Sequence, residues 1–324
     1  MSPLRVGLIG AGRWGQVYIQ TFALLSDRCR LTHLCTSRPD ASAMVGHPVQ
    51  VTADWGQLIA SDCEAVIIAT PPQTHAEIVE ACLDAGKPCL VEKPLCLDLA
   101  TAQRLQERIR VSTTPVLVNH THLFTPAYHA LKEHLRRAGE PVRALLSEGM
   151  GFGPFRTHTS ALWDWGPHDV SLCVDLLGRP PVHVEALGGP CGPDGEPEMV
   201  SLRLDFSGEL SAWIHCGRLS LEKRRHLAVF TDSRCYVLDD LAAHKLTAGP
   251  VPLAKRYTES MSELVERSPL TTGPEEPPMV HVVRYFLDGV VGGDRGRFGA
   301  DLAFEVTRVL AACERSLAKG RARV

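Results

Sequence analysis

The chain has 324 residues, is 44% hydrophobic and carries a formal net charge of -3. That length can bury two cores, and the faint acidic balance offers no basic field to a nucleic acid. No run approaches the roughly 18 apolar residues that span a bilayer, so the expectation is a globular protein whose partner is a small molecule, bound to neither nucleic acid nor membrane. The segment Met1-Ser2-Pro3-Leu4-Arg5 lacks the charged and apolar regions of a signal peptide, which points to the cytoplasm. The eleven cysteines are odd in number, scattered and free of C-x-x-C pairs, so they read as buried, reduced thiols. The sequon Asn119-His120-Thr121 has no consequence there.

The first strand is predicted over 4–9, and Gly10-Ala11-Gly12-Arg13-Trp14-Gly15 follows it directly. A strand running into G-x-G-x-x-G and then into a helix, predicted over 16–25, is the setting of a dinucleotide site. Gly10 permits the tight turn, Gly12 lets the backbone approach a pyrophosphate, and Gly15 lets the helix pack closely with its N-terminal N–H groups toward the phosphates. Further strands are expected over 31–35, 65–69, 89–92 and 116–119. Helices are expected over 76–85, ending at Gly86, and over 99–110, capped by Asp98. This alternation predicts an α/β fold, a Rossmann-type doubly wound parallel sheet over 1–120.

Beyond Pro126 the pattern changes. A helix over 127–137 and a strand over 142–148 precede a helix over 164–177. Strands then follow over 182–186, 199–206, 210–216, 226–231 and 235–238, with Ser207-Gly208 as a hairpin turn. A long surface excursion is expected over 251–278, before helices over 280–290 and 301–318. The second domain, 121–324, is therefore predicted as α+β, built on an open, mostly antiparallel sheet.

Three segments carry further chemistry. Residues 66–75 read as a buried strand ending in a turn, Thr70-Pro71, with His75 beyond it, at the carboxyl edge of the sheet where ligands bind in open α/β folds. Glu92-Lys93-Pro94 sets a lysine at the end of the next strand. Trp163-Asp164-Trp165-Gly166-Pro167-His168-Asp169 opens a helix with Asp164 and His168 four apart, hence on one face. Taken singly, Lys93 reads as a loop residue, His168 as a satisfied helix residue and Asp164 as an N-cap; the signal lies in the three together. Trp163 and Trp165 read as core. His120 and His122 form an H-x-H that can present two imidazoles on a strand face, but no third ligand stands at a recognisable spacing, so no metal is expected. Both are instead candidate substrate-lining residues, as are Arg156 and His158.

These segments together resemble the Gfo/Idh/MocA family, the group of glucose-fructose oxidoreductase and inositol dehydrogenase. The likeness rests on G-A-G-x-W-G at 10–15, A-T-P-P-x-x-H at 69–75, E-K-P at 92–94, D-x-x-x-H at 164–168 and Ser268-Pro269-Leu270, and it spans nearly the whole chain. It implies a Rossmann domain, a second domain with an open sheet, and an active site in the cleft between them. The implied reaction is hydride transfer between a nicotinamide cofactor and a secondary alcohol or ketone of a sugar, cyclitol or related compound. Lys93, His168 and Asp164 fall at the catalytic centre. Histidine titrates near working pH and can accept the hydroxyl proton, the lysine ammonium steadies charge developing on the oxygen, and Asp164 orients substrate or imidazole; some members give the proton transfer to the lysine. The cofactor-binding set is then Gly10, Ala11, Gly12, Arg13, Trp14, Gly15, Thr36, Ser37, Arg38, Thr70, Pro71, His75, Glu92 and Lys93.

An NAD enzyme places Asp or Glu about 20 residues past the glycines. Here residues 35–39 read Cys-Thr-Ser-Arg-Pro, so Ser37 and Arg38 favour the 2'-phosphate of NADP, with NAD the alternative. Two rivals share the scaffold: a regulator that binds cofactor without turnover, for which the three residues have no use, and a reductase of an imine or similar double bond, for which His168 is dispensable. The row Leu202, Leu204, Phe206, Leu210 and Ala212, with helices to cover one face of the sheet only, predicts a homodimer or homotetramer formed through that sheet.

Overall fold

Ala65–Ile68 reads AVII, and all four side chains are buried, as a central parallel strand covered on both faces requires. The same logic runs through the first part of the chain. In a computed structural model that describes residues 2–156, 159–251, 267–274, 276–293 and 299–318, the chain divides into two units.

The first unit contains β1 (Leu4–Ile9), α1 (Arg13–Leu24), β2 (Cys29–Cys35), β3 (Gln50–Thr52), α2 (Trp55–Ala60), β4 (Ala65–Ile68), α3 (His75–Asp84), β5 (Cys89–Glu92), α4 (Leu99–Val111) and β6 (Val116–Asn119). Its six strands lie in the order β3-β2-β1-β4-β5-β6, and every neighbouring pair is parallel. The strand order reverses between β1 and β4, the position where such sheets bind dinucleotides. Val6, Leu8, Leu31, Leu34 and Ile67 pack on one face with Tyr18 and Phe22 of α1, while Ile9, Val66, Ile68 and Val91 pack on the other with Ile78, Val79 and Leu105. Asp98 caps α4 by accepting from the N–H of Thr101 at 2.8 Å, as predicted. The elements β3 and α2 were not predicted: a three-residue strand with two exposed side chains and a six-residue helix are too short to show a period.

The second unit contains α5 (Pro126–Ala138), β7 (Ala144–Phe152), α6 (Ala161–Leu177), β8 (His183–Gly188), β9 (Met199–Phe206), β10 (Leu210–Gly217), β11 (Leu219–Phe230), β12 (Arg234–Asp239), β13 (Leu246–Pro250) and β14 (Ser268–Pro269). Its sheet runs β14-β13-β12-β11-β7-β10-β9-β8, antiparallel throughout except for the parallel β7–β10 pair. The β9–β10 hairpin turns through Gly208 and Glu209, both at positive φ, which a glycine adopts freely. Two helices close the chain, α7 (Pro278–Gly292) and α8 (Asp301–Ala318).

The domain boundary differs from the sequence reading. The first unit runs to Phe124 and also takes in Glu276–Thr307, so the division passes through α8. The cause is the apolar stripe of α7: Met279, Val280, Val283, Phe286 and Leu287 recur at helical spacing and join the core of β1 and α1, and Arg28 forms an ion pair with Asp288.

Leu202, Leu204, Phe206, Leu210 and Ala212 are all buried inside their own unit, where α6 packs on β9 and β10. The opposite row is mixed: Trp213, 43% exposed, faces Arg203 on β9 and Leu146 on β7, with Ser211 and His215 beside it on its own strand. Most of the surface excursion expected over 251–278 lies outside the described residues. The cysteines are free thiols, buried except for Cys191 and Cys235. Among the described residues no helix is long and apolar enough to cross a membrane.

Candidate active site

Each unit holds its own set of candidate residues. In the first, the chain leaves β1 at Gly10, whose φ is 102° and where a Cβ would come within 2.6 Å of the Ala69 carbonyl oxygen. The Gly10 N–H donates to Cys35 and the Ala69 N–H donates to Ile9, each at 2.8 Å, so the turn is stitched to the ends of β2 and β4. A Cβ on Gly15 would overlap the Gly10 carbonyl, whereas one on Gly12 would meet nothing within 4 Å. Gly12 caps α1 with no side-chain hydrogen bond and no acidic residue in the first turn. The N-terminal N–H groups and the positive end of the helix dipole thus open onto space that a side chain would fill, an arrangement that fits a pyrophosphate. Ala11 is buried, Trp14 packs partly on the core, and Arg13 is exposed.

Thr36 accepts from the Arg38 N–H at 3.2 Å, and Arg38 reaches back to the Ala11 carbonyl at 3.4 Å, which places its guanidinium at the glycine turn. Arg38 is also paired with Asp40 at 3.2 Å, and this contact holds the Asp40 carboxyl below its ordinary range. A carboxylate therefore does stand near the end of β2, just past the residues in which the sequence shows none.

Thr70-Pro71 follows β4, with the Thr74 hydroxyl donating to that of Thr70 at 2.7 Å. His75 is fully buried, one ring nitrogen 2.9 Å from the Thr70 carbonyl and the other 2.8 Å from that of Pro94. Burial, with Lys93 adding to it, pushes its pKa down. Its side chain is taken up by the two loops it joins. Glu92 is likewise held by its neighbours. It is buried, and one of its oxygens accepts from Tyr18 at 2.8 Å and from Asn119 at 2.7 Å. Lys93, 8% exposed, stands at the end of β5.

His120 and His122 fall beyond β6, His120 buried and His122 in a 3-10 turn, Thr121–Phe124. The strand face that H-x-H would need has ended at Asn119. Among the described residues no group of three or more His, Cys, Asp or Glu side chains is placed to hold a metal.

In the second unit α6 starts at Ala161 after Ser160, so Asp164 lies inside the first turn and is not its cap. Asp164 accepts from Arg156 at 2.9 Å, and His168 follows one turn later, beside Pro167 within the helix. His158 lies outside the described residues. Trp163 donates to Glu314 at 3.0 Å, and the Arg225 guanidinium stands 4.4 Å above the Trp165 ring. Asp169 is buried and accepts from Ser147 at 2.6 Å. Burial draws the Arg225 pKa down while Asp169, Asp240 and Asp164 oppose it. Arg218, fully buried in an ion pair with Glu198, donates to the carbonyls of Thr159 at 3.2 Å and Arg156 at 3.4 Å, so it anchors the loop that carries Arg156.

Sequence reasoning missed Tyr18, Asn119, Asp169, Arg218 and Arg225. For Arg225 a signal was present: it shares a strand face with Leu227 and Val229, both buried, and a cation in that row is out of place without partners.

A family model described as an oxidoreductase family with an NAD-binding Rossmann fold, that of Gfo/Idh/MocA, matches residues 4–120. A solved structure of a protein described as an oxidoreductase, from Magnetospirillum magnetotacticum MS-1, is 40% identical with a TM-score of 0.85, covering 96% of this chain and 100% of that one. The UDP-N-acetylglucosamine 3-dehydrogenase of Acidithiobacillus ferrooxidans is 26% identical over 304 residues, 90% of this chain and 94% of that protein. Inositol 2-dehydrogenase 2 of Paenarthrobacter aurescens is 30% identical over 205 residues, 60% of this chain and 62% of that protein.

Proposed function

Because this chain belongs to the Gfo/Idh/MocA family of oxidoreductases, as an NAD(P)-dependent enzyme acting on CH–OH groups, we propose that it oxidises a ring hydroxyl of a sugar, nucleotide sugar or cyclitol, or reduces the matching ketone, and that it prefers NADP. The observation that carries this reading is Lys93: a largely buried ammonium at the carboxyl edge of the sheet whose glycine turn fits a dinucleotide pyrophosphate. The bound nicotinamide supplies hydride exchange, and the protein handles the proton and the oxygen.

In this reading His168 accepts the hydroxyl proton, Lys93 donates a hydrogen bond to the oxygen as negative charge develops, and Asp164, in contact with Arg156, orients the substrate or the imidazole. Arg38, already at the glycine turn, is the group that receives a 2'-phosphate, and it would exchange Asp40 for that stronger anion. The substrates that name the two relatives, UDP-N-acetylglucosamine and inositol, are cyclic polyhydroxy compounds, which supports the substrate class. Association as a homodimer or homotetramer, through the sheet face that exposes Trp213, completes the proposal. Light scattering behind size exclusion tests it, a mass of one 35.4 kDa chain counting against it.

The experiment is a panel of sugars, sugar acids, nucleotide sugars and inositols assayed with NADP and NAD by nicotinamide absorbance. The proposal expects turnover within the cyclic polyhydroxy class, faster with NADP at equal concentration. Turnover confined to imines or other double bonds, or faster with NAD, contradicts it.

A further inference from the structure

Helix α6 is weakest where it carries the candidate chemistry. The residues between Asp164 and His168 include Gly166 and Pro167, and the proline has no N–H to give the Trp163 carbonyl one turn back. The helical hydrogen bond that ties one turn to the next is missing there, so the relative directions of Asp164 and His168 depend on what α6 packs against.

Strand β7 receives two side chains of that helix. Trp165 follows Asp164 directly and Asp169 follows His168 directly, so the two lie four apart in a row of their own on α6. On β7 the alternate residues Ser147, Gly149 and Gly151 are all buried. A Cβ on Gly149 would overlap the Asp169 carboxylate, and one on Gly151 would come within 3.0 Å of the edge of the Trp165 ring. Neither glycine has a positive φ, so each supplies space and not backbone freedom, at a cost to the strand that calls for a reason. Ser147 donates to Asp169 at 2.6 Å. Arg225, opposite Gly149 in the β7–β11 register, covers the Trp165 ring at 4.4 Å. One side chain is thus seated on the sheet before the proline and one after it.

We propose that Trp165 and Asp169 are positioning residues: seated against Gly151 and Gly149, they set the rotation of α6 on either side of Pro167 and so the directions in which Asp164 and His168 leave the helix. The inference rests on the proposed roles of those two residues at the reacting alcohol. With its side chains a helix is about 10–12 Å across, so a rotation of about 10° carries a side-chain tip by about 1 Å. A displacement of about 1 Å at a reacting group costs about 10² in rate. A methyl group at Gly149 demands a shift on that scale, and one at Gly151 a smaller one.

The test compares the wild type with Gly149→Ala, Gly151→Ala, Gly151→Ala combined with Trp165→Phe, and Leu172→Ala, which thins the buried face of α6 further along. At a temperature where all are folded, each is measured for kcat, for NADPH affinity and for the rate at which diethyl pyrocarbonate modifies half-buried His168 relative to exposed His183, read by peptide mass spectrometry. Gly149→Ala should lower kcat about 10²-fold and change the His168 ratio by about threefold or more, with NADPH affinity within about threefold. Gly151→Ala should lower kcat about tenfold, and adding Trp165→Phe, whose shorter ring clears the methyl group, should return most of that loss. Leu172→Ala should lower the unfolding temperature and keep both kcat and the His168 ratio, because lost stability alone moves neither. An unchanged kcat and ratio in Gly149→Ala overturn the proposal, as do unchanged values in Gly151→Ala should the first variant not fold. Losses in Leu172→Ala equal to those of the glycine variants also overturn it. The labelling requires no substrate. If His168→Ala leaves turnover intact while the ratios change as stated, the reading of His168 fails and the seating of α6 stands.

Discussion

The two units build their candidate sites by different means. In the first, the backbone does most of the work: Gly10 and Gly15 are required by contacts of the main chain, Gly12 leaves the helix N-terminus open, and the strand ends bring Thr70, Lys93 and Asn119 to one edge of the sheet. In the second, side chains remote in sequence do it: Arg218 pairs with Glu198 and holds the Arg156 loop, while Arg225 stands over Trp165. A backbone site leaves a compact sequence motif because steric demands are local. A site assembled from long side chains leaves only residues whose chemistry disagrees with their position.

This contrast predicts that changes in the second unit alter turnover and spare the nucleotide. His168→Ala should lower kcat by about 10²–10⁴, the range of general acid–base contributions, with NADPH affinity within a few fold. Steady-state kinetics and fluorescence titration of NADPH decide it, and equal losses in both would erase the distinction.

The next effect is on stability. Arg218→Met leaves Glu198 buried without its cation and should cost about 3–5 kcal/mol in denaturant unfolding, while Arg218→Met combined with Glu198→Leu should recover most of that loss. A double variant no better than the single one would mean that the carbonyl contacts, not the paired charges, hold the loop.

Gly10→Ala should cost about 1–3 kcal/mol, because the methyl group meets the Ala69 carbonyl and the backbone sits at positive φ, and it should also weaken NADPH. Thermal unfolding and nucleotide titration of the same variant separate the two effects; unaltered binding would contradict the steric account of the turn.

Smallest is the choice of nucleotide. Arg38→Ala should weaken NADPH about tenfold, as loss of a charge-assisted contact does, and leave NADH little changed. Parallel titrations measure the ratio, and an equal loss for both would reduce Arg38 to a strut between Ala11 and Asp40.

The fold was legible where elements were long and buried. Strands such as Leu4–Ile9 and Cys89–Glu92 coincide with their predicted bounds, since each is built on a short run of buried apolar residues. The strand Leu219–Phe230 was read from His226 only, because Glu222, Lys223, Arg224 and Arg225 look like a loop until the register of Arg224 against Met150 and of Arg225 against Gly149 is known. The return of α7 to the first core was invisible for a related reason: an amphipathic stripe shows that a helix is buried but not against what. At the site, the glycine turn, Lys93, Asp164 and His168 were read from local pattern. The partners of Glu92 were not, since Tyr18 is 74 residues away from it and Asn119 is 27.

The central claim is that Lys93 acts on the reacting oxygen and not on the nucleotide. The most direct measurement is Lys93→Met assayed on the substrate identified by the panel, with kcat and NADPH affinity taken from the same preparation. The account predicts a loss in kcat of about 10² or more with affinity within a few fold of the wild type. Near-normal turnover, or a loss of affinity as large as the loss of turnover, would contradict it.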